Sequence, residues 1–217
     1  MEPTRREFVV SASAGAALAL LAGSAFGEEP TERRMKPNVL FILADDLRPD
    51  GIGALGNPRL KTPHLDRVVQ GGMSFTRAYC MGSMRPAVCQ PSRTMILTGR
   101  NLFHIPREND REGYDLLPTA LKAAGYHTFH IGKRGNSFLP GHQAFDECIH
   151  SSGGNRTASS QEHADAIIKY LRGRKADRPF FIYMAPPVPH DPRVAPKEFM
   201  DQYDPDRIPV PEAFMPV

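Results

Sequence analysis

A short, continuous apolar run, Asn38-Val39-Leu40-Phe41-Ile42-Leu43, stops abruptly at two adjacent carboxylates, Asp45-Asp46. A run of this length without polar alternation belongs to a strand buried on both faces, as in a mostly parallel sheet. The same signature returns at Pro179-Phe180-Phe181-Ile182-Tyr183-Met184, and Tyr126 to Ile131 alternates into a further strand. Between these lie helical patterns. Thr62-Pro63 opens one that is closed by Gly71-Gly72, Pro91 to Leu97 another ended by Thr98-Gly99, and Leu116 to Ala124 a third ended by Gly125. Gln161 to Arg172 carries Ala164, Ile167, Ile168 and Leu171 at helical spacing. Ser74 to Tyr79 reads as one more strand. Strands alternating with helices predict an α/β fold, a central mostly parallel sheet flanked by helices. From about Pro186 the chain turns Pro-rich and reads as an ordered loop.

Charge narrows the function classes. The 217 residues hold 27 Lys and Arg against 24 Asp and Glu, a net +3 spread along the chain and not gathered into the basic stripe that nucleic acid requires. Thr4-Arg5-Arg6-Glu7-Phe8 stands directly before a weakly hydrophobic, Ala-rich run to Ala25. Residues 1–27 therefore predict a twin-arginine export signal, with a periplasmic or secreted destination. The alternative is a membrane anchor, but the run falls short of the roughly 20 strongly apolar residues a span needs; no membrane contact is expected once the signal is cleaved. Residues 28–36 form a polar leader, and Asn155-Arg156-Thr157 is read as a plain polar loop in a bacterial-type protein. Of the three cysteines, Cys80, Cys89 and Cys148, at least one is outside any intramolecular disulfide, and with no CxxC pair the spacing speaks against a structural zinc site.

Two segments carry residue types that do chemistry. Ligands of open α/β sheets bind beyond the carboxyl ends of the strands. There Asp45 and Asp46 are either hard oxygen ligands for Ca²⁺ or Mg²⁺ or a solvated turn. In Cys89-Gln90-Pro91-Ser92-Arg93, Pro91 and Ser92 suit a first helical turn, which puts Cys89 at the positive helix end, with Arg93 one turn further on the same face. The bland reading of Cys89 is a small buried apolar group.

The spelling Cys-x-Pro-Ser-Arg followed by Leu97-Thr98-Gly99-Arg100 closely resembles the signature of the type I, formylglycine-dependent sulfatases. The resemblance runs in order through Asn38 to Asp46, Lys61 to Asp66, Phe75 to Tyr79, the Cys89 segment, Gly125 to Thr128, Gly132-Lys133 and Ala185 to Pro192. It implies an alkaline-phosphatase-like fold in residues 37–217, as the N-terminal part of a sulfatase catalytic domain. That sheet would be incomplete, with an unpaired edge and uncovered apolar surface. It further implies that a formylglycine-generating maturation enzyme converts Cys89 to formylglycine, whose hydrate attacks the sulfur of a sulfate ester on a small molecule or polysaccharide. Asp45, Asp46 and the modified Cys89 would hold a divalent cation, Ca²⁺ or else Mg²⁺. Arg93 would orient the nucleophile, Lys133 would offset charge on the sulfate, and His190 would bind sulfate and protonate the leaving oxygen.

One departure affects the chemistry. Where the family continues Gly-Lys with Trp-His, this chain has Arg134-Gly135, and His127, His130 and His142 lie nearby in sequence without ground for choosing among them. Two other readings stay open, because sulfate and phosphate are both tetrahedral oxyanions that geometry barely separates, and because Gly135 and about three oxygen donors in place of the six to eight that Ca²⁺ takes leave the site short of groups. One is a phosphate or phosphonate hydrolase of the same superfamily, the other a non-catalytic remnant that binds sulfated glycans. The alcohol carrying the sulfate and the oligomeric state leave no sequence signal.

Overall fold

A computed structural model describes residues 36–82, 88–105, 114–135, 137–151, 159–210 and 215. The export segment 1–27, the leader up to residue 35 and the Asn155 sequon lie outside the described residues. Four strands, β1 (Val39–Ile42), β2 (His127–Lys133), β3 (Glu147–Ser151) and β4 (Phe180–Ala185), form one wholly parallel sheet in the order β1-β4-β2-β3. The connections carry α1 (Pro63–Gly71), α2 (Cys89–Thr98), α3 (Leu117–Ala123), α4 (Leu139–Gln143) and α5 (Ser159–Gly173), with α6 (Lys197–Met200) after β4. This is the α/β architecture that the alternating patterns predict.

Each sheet face has its own core. Phe181, Tyr183 and Ala185 of β4 pack with Leu97 of α2, Tyr126, Phe138 and Phe145, and Val39, Phe41 and Leu43 join them. On the opposite face Phe129 and Ile131 of β2 and Ile182 of β4 meet Ile167, Ala166 and Tyr170 of α5. That helix covers the middle of its face, and Leu40 and Ile42 of the edge strand β1 remain half exposed. Burying side chains from both faces of β4 explains why its sequence shows no polar alternation.

Three local readings need correction. Ser74 to Tyr79 is not a strand: it runs as turn and irregular backbone, Phe75 and Tyr79 are largely exposed, and among the described residues no strand pairs with it. Thr62 precedes α1 but does not cap its backbone; its hydroxyl donates to Asp66 at 2.8 Å and accepts from the Gly53 N–H, tying α1 to the preceding turn. The chain also has β3 and α4, which the patterns miss. Glu147-Cys-Ile-His-Ser is a polar edge strand. Leu139-Pro-Gly-His-Gln is a short helix whose Gly141 admits Leu97 of α2 so closely that a Cβ there would sit 2.8 Å from the Leu97 Cδ1. Among the described residues no helix is long and apolar enough to cross a membrane.

Candidate active site

Parallel strands bring their carboxyl ends to one edge of the sheet, and three of the chemistry-bearing segments leave from there. Asp45 follows β1, Lys133 ends β2 and His190 follows β4. The pairing of β1 with β4 continues beyond the strands: the Asp45 N–H donates to the Val188 carbonyl at 3.2 Å, and Asp45 bridges to Pro189. That backbone link carries the Pro186 to His190 loop to the Asp45 side of the sheet.

The fourth contribution comes from α2. Cys89 is its first residue and Gly99, in the left-handed region at φ 65°, closes it with an N–H to the Met95 carbonyl at 2.8 Å. Thr94 and Thr98 stay buried inside the helix because their hydroxyls donate back to the Gln90 and Thr94 carbonyls. Cys89 and Arg93, one turn apart, face the sheet together.

All of these meet on one carboxylate. Asp45 is buried; it accepts a hydrogen bond from the Cys89 thiol at 3.2 Å and a close ionic hydrogen bond from the Lys133 ammonium, while the Arg93 guanidinium lies 3.5 Å away. Arg93, 1% exposed, also donates to the Tyr183 hydroxyl at 3.5 Å. Burial alone would raise the Asp45 carboxyl, but hydrogen bonds from Lys133 and Cys89 and the charges of Lys133 and Arg93 outweigh it and hold Asp45 below the usual carboxylate range. The Cys89 thiol moves the other way. Burial, then the hydrogen bond to Asp45 and its negative charge, raise it, so residue 89 rests as a neutral thiol and not as a thiolate nucleophile.

Asp46 and His190 form the rim. Asp46 adopts a left-handed backbone at φ 65° and turns its side chain outward, 59% exposed, so the two adjacent aspartates part company. His190 donates through Nδ1 to the Asp191 carbonyl, leaving Nε2 3.7 Å from the Asp46 carboxylate. Asp45, Cys89 and His190 can each offer a ligand atom within 4.8 Å of the others'. The sequence-predicted residues Asp45, Cys89, Arg93 and Lys133 are thus brought into contact, His190 stands beside them, and Asp46 joins through His190. Of the other histidines considered from sequence, none contacts Asp45, Cys89 or Lys133 among the described residues, and His130 touches only Tyr183, through its backbone carbonyl and ring. His127 bonds to the Tyr170 hydroxyl, and His130 and His142 lie in a separate buried group. Tyr183, which sequence reasoning takes as core alone, is the residue it misses; a tyrosine in an apolar strand gives no signal of a polar duty.

As a cation site, the ligand atoms within reach of one another are those of Asp45, Cys89 and His190, with Asp46 turned to the rim, and the soft thiol is one that an oxygen would have to replace. As an anion site its charge is favourable: the buried groups hold two cations, Arg93 and Lys133, against one carboxylate. A separate cleft of about 640 Å³ lies on the far sheet face, lined by His127, Glu147, Lys169, Tyr170 and Arg174 among others. It contains none of these residues, so cavity size and chemistry diverge here.

The sulfatase family model matches residues 37–212. An ulvan-active sulfatase of Formosa agariphila is 29% identical over 83% of the chain and 40% of its own length. Among solved structures, the phosphonate monoester hydrolase of Agrobacterium radiobacter superposes with a TM-score of 0.61 at 22% identity, over 81% of this chain and 45% of that one. A Vibrio parahaemolyticus protein of the alkaline phosphatase superfamily gives 0.59 at 24%, over 79% and 45%. These two likenesses bear on fold, and the fold is the alkaline-phosphatase type. The chain spans about two fifths of the length of the Formosa relative it matches.

Proposed function

We propose, from the premise that this chain belongs to the sulfatase family, that its site hydrolyses sulfate esters through a formylglycine made from Cys89. Sulfatases generally use that modified residue together with a divalent cation. The observation that carries the reading is the convergence of Cys89, Arg93 and Lys133 on buried Asp45.

The residues divide the work as their positions suggest. Residue 89, with its thiol replaced by a hydrated aldehyde, presents one hydroxyl to the ester sulfur and keeps a second, whose deprotonation expels sulfate once the alcohol has gone. A neutral, hydrogen-bonded thiol suits a residue that is to be converted; it does not suit one that must attack as it stands. Lys133 and Arg93 exceed the Asp45 charge by one, and in a desolvated pocket that excess favours a sulfate group whose charge grows as the ester bond breaks. Asp45 orients both cations and the head of residue 89. His190, fixed through Nδ1, keeps Nε2 toward the pocket, where it can bind sulfate and return a proton to the leaving oxygen. Asp45, Asp46 and the oxygen of the modified residue would hold the cation, Ca²⁺ or else Mg²⁺, which when bound draws charge from the sulfate oxygens.

The name of the Formosa relative, an ulvan-active sulfatase, supports a sulfate ester over a phosphate ester. The substrate is then a sulfated small molecule or polysaccharide, and a formylglycine-generating maturation enzyme is the partner required. The Arg5-Arg6 segment supports export to the periplasm or beyond. The test compares an aryl sulfate with an aryl phosphate after co-expression with a maturation enzyme. Turnover of the sulfate ester that is lost in Cys89→Ala supports the reading. Preference for the phosphate ester favours the phosphohydrolase alternative, and binding of sulfated glycan without turnover favours the remnant.

A further inference from the structure

A second polar cluster lies in the same sheet and takes no part in the chemistry above. His130 of β2 is in register with Cys148 of β3, and Gly132 with His150, so the four positions share one face of the sheet. His142, on α4, lies over that face, its ring centroid 4.1 Å from that of His130 and 5.3 Å from that of His150. Between His130 and Lys133, Gly132 has no side chain; a Cβ there would come 3.1 Å from the His130 Cε1 and closer still to Ala185. Each of the four residues can offer a ligand atom, all within 4.8 Å of one another.

We propose that His130, His142, Cys148 and His150 form a structural Zn²⁺ site that clamps the edge strand β3 to β2 and α4. Three observations carry it. First, His130 is wholly buried and its Nδ1 donates to the Tyr183 carbonyl at 2.9 Å, which fixes the tautomer and leaves Nε2 a bare lone pair; that Nε2 is buried with no hydrogen-bond partner among the described residues. A backbone carbonyl on the far ring nitrogen is how zinc-binding histidines are generally oriented. Secondly, the two edges of the cluster that meet at His150 suit a tetrahedron. His142 Nδ1 and His150 Nε2 are 3.1 Å apart, and Cys148 Sγ is 3.5 Å from His150 Nε2. With Zn–N of about 2.0–2.1 Å and Zn–S of about 2.3 Å, tetrahedral edges come to roughly 3.3 and 3.6 Å. Thirdly, the set is three imidazoles and one thiol, nitrogen and sulfur without a carboxylate, which selects zinc over Ca²⁺ or Mg²⁺.

Burial keeps the rings neutral, as ligation requires. It brings His130 down to about 2 and His142, with the His150 and Arg93 charges adding to the effect, down to about 4. Cys148 sits on the exposed edge of β3, which gives the ion a route in from solvent. On binding, the Cys148 thiol proton passes to solvent and each imidazole binds through an unprotonated nitrogen, its remaining proton on the other ring nitrogen. The absence of a CxxC pair is therefore no argument against zinc here, because the ligands come from three elements and not from one knuckle.

The test uses the full chain in a Cys89→Ala background, which leaves Cys80 and Cys148 as the thiols, of which only Cys148 belongs to the cluster. Equilibrium dialysis is expected to retain one Zn²⁺ per chain, and Co²⁺ in its place is expected to show a thiolate-to-metal absorption band with tetrahedral ligand-field bands. Cys148→Ser should abolish the thiolate band, and both Cys148→Ser and His150→Ala should weaken zinc by more than the roughly 10–100-fold that loss of an outer-shell partner costs. Both substitutions lie on the edge strand, and metal-free circular dichroism matching the parent checks that they fold. A parent chain that retains no zinc, or a Cys148→Ser variant that keeps the band or binds zinc as tightly as the parent, would overturn the assignment.

Discussion

The two polar clusters of this sheet stand a few residues apart on β2 and are built on opposite principles. Around Asp45, every group is charged or bound to a charge: two buried cations and a thiol share one carboxylate. Around His130, every group is neutral, and what is left over is a lone pair. The first kind of cluster carries a surplus of positive charge that suits an anion; the second carries unshared electron pairs that suit a soft cation. Tyr183 joins them, its hydroxyl accepting from Arg93 and its carbonyl accepting from His130. One strand thus serves both without either cluster contributing a ligand to the other.

The largest expected effect falls on the charged side. Asp45→Asn leaves Lys133 and Arg93 buried without their carboxylate, and removing one member of a buried ion pair costs about 3–5 kcal/mol. Urea unfolding of the two proteins measures it, and inorganic sulfate should restore part of the loss by supplying the missing negative charge. A variant as stable as the parent would mean that the pocket is not the desolvated ion cluster described. On the neutral side, His130→Phe in zinc-free buffer keeps an aromatic ring, somewhat larger than the imidazole, and leaves no buried charge. It should cost only about 1–2 kcal/mol, the scale of one lost hydrogen bond and its unpaired acceptor. A loss equal to that of Asp45→Asn would erase the contrast.

A third carboxylate, outside both clusters, sharpens the comparison through pH. Asp146 accepts from the Thr128 N–H and hydroxyl at 2.8 and 2.9 Å. Burial works to raise it, and these bonds with the nearby Lys122 and His127 charges lower it below its ordinary 3.8. A carboxyl depressed in the folded state adds stability that is present above the unfolded value and disappears as pH falls through the folded one. Asp146→Asn should therefore flatten the loss of stability below about pH 4 in an acid titration followed by circular dichroism, while costing about 1 kcal/mol at neutral pH. Smallest of all is Arg48→Ala. Its ion pair with Asp50 is 2.7 Å long but solvent-exposed on both sides, and such pairs contribute less than about 1 kcal/mol. A thermal midpoint unchanged from the parent is expected.

What could be read from the chain beforehand follows from where the signal lies. β1 and β4 are legible because each is an unbroken apolar run, although only β4 is buried on both faces; β1, expected to be the same, is an edge strand of the described sheet with Leu40 and Ile42 half exposed. α2 and α5 are legible because their spacing is helical and Gly99 marks the end of the first. β3 is not, since an edge strand with Glu147, Cys148 and His150 facing outward or into a polar group has no apolar period. Ser74 to Tyr79 has the composition of a strand but no partner. At the active site, Cys89, Arg93, Asp45 and Lys133 are adjacent to strand ends or a helix start, places where sequence order implies position. The divergence of Asp46 from Asp45 rests on one left-handed residue, and the His130 cluster rests on the register between β2 and β3. Neither is written in local spacing.

The central claim is that the thiol at the start of α2 is a precursor. Mass spectrometry of the peptide carrying Cys89, from protein co-expressed with a formylglycine-generating enzyme, tests it most directly. An aldehyde or its hydrate is expected at residue 89, with Cys80 and Cys148 still thiols in the same sample. An intact cysteine at position 89, in a preparation where a control sulfatase is converted, would contradict it.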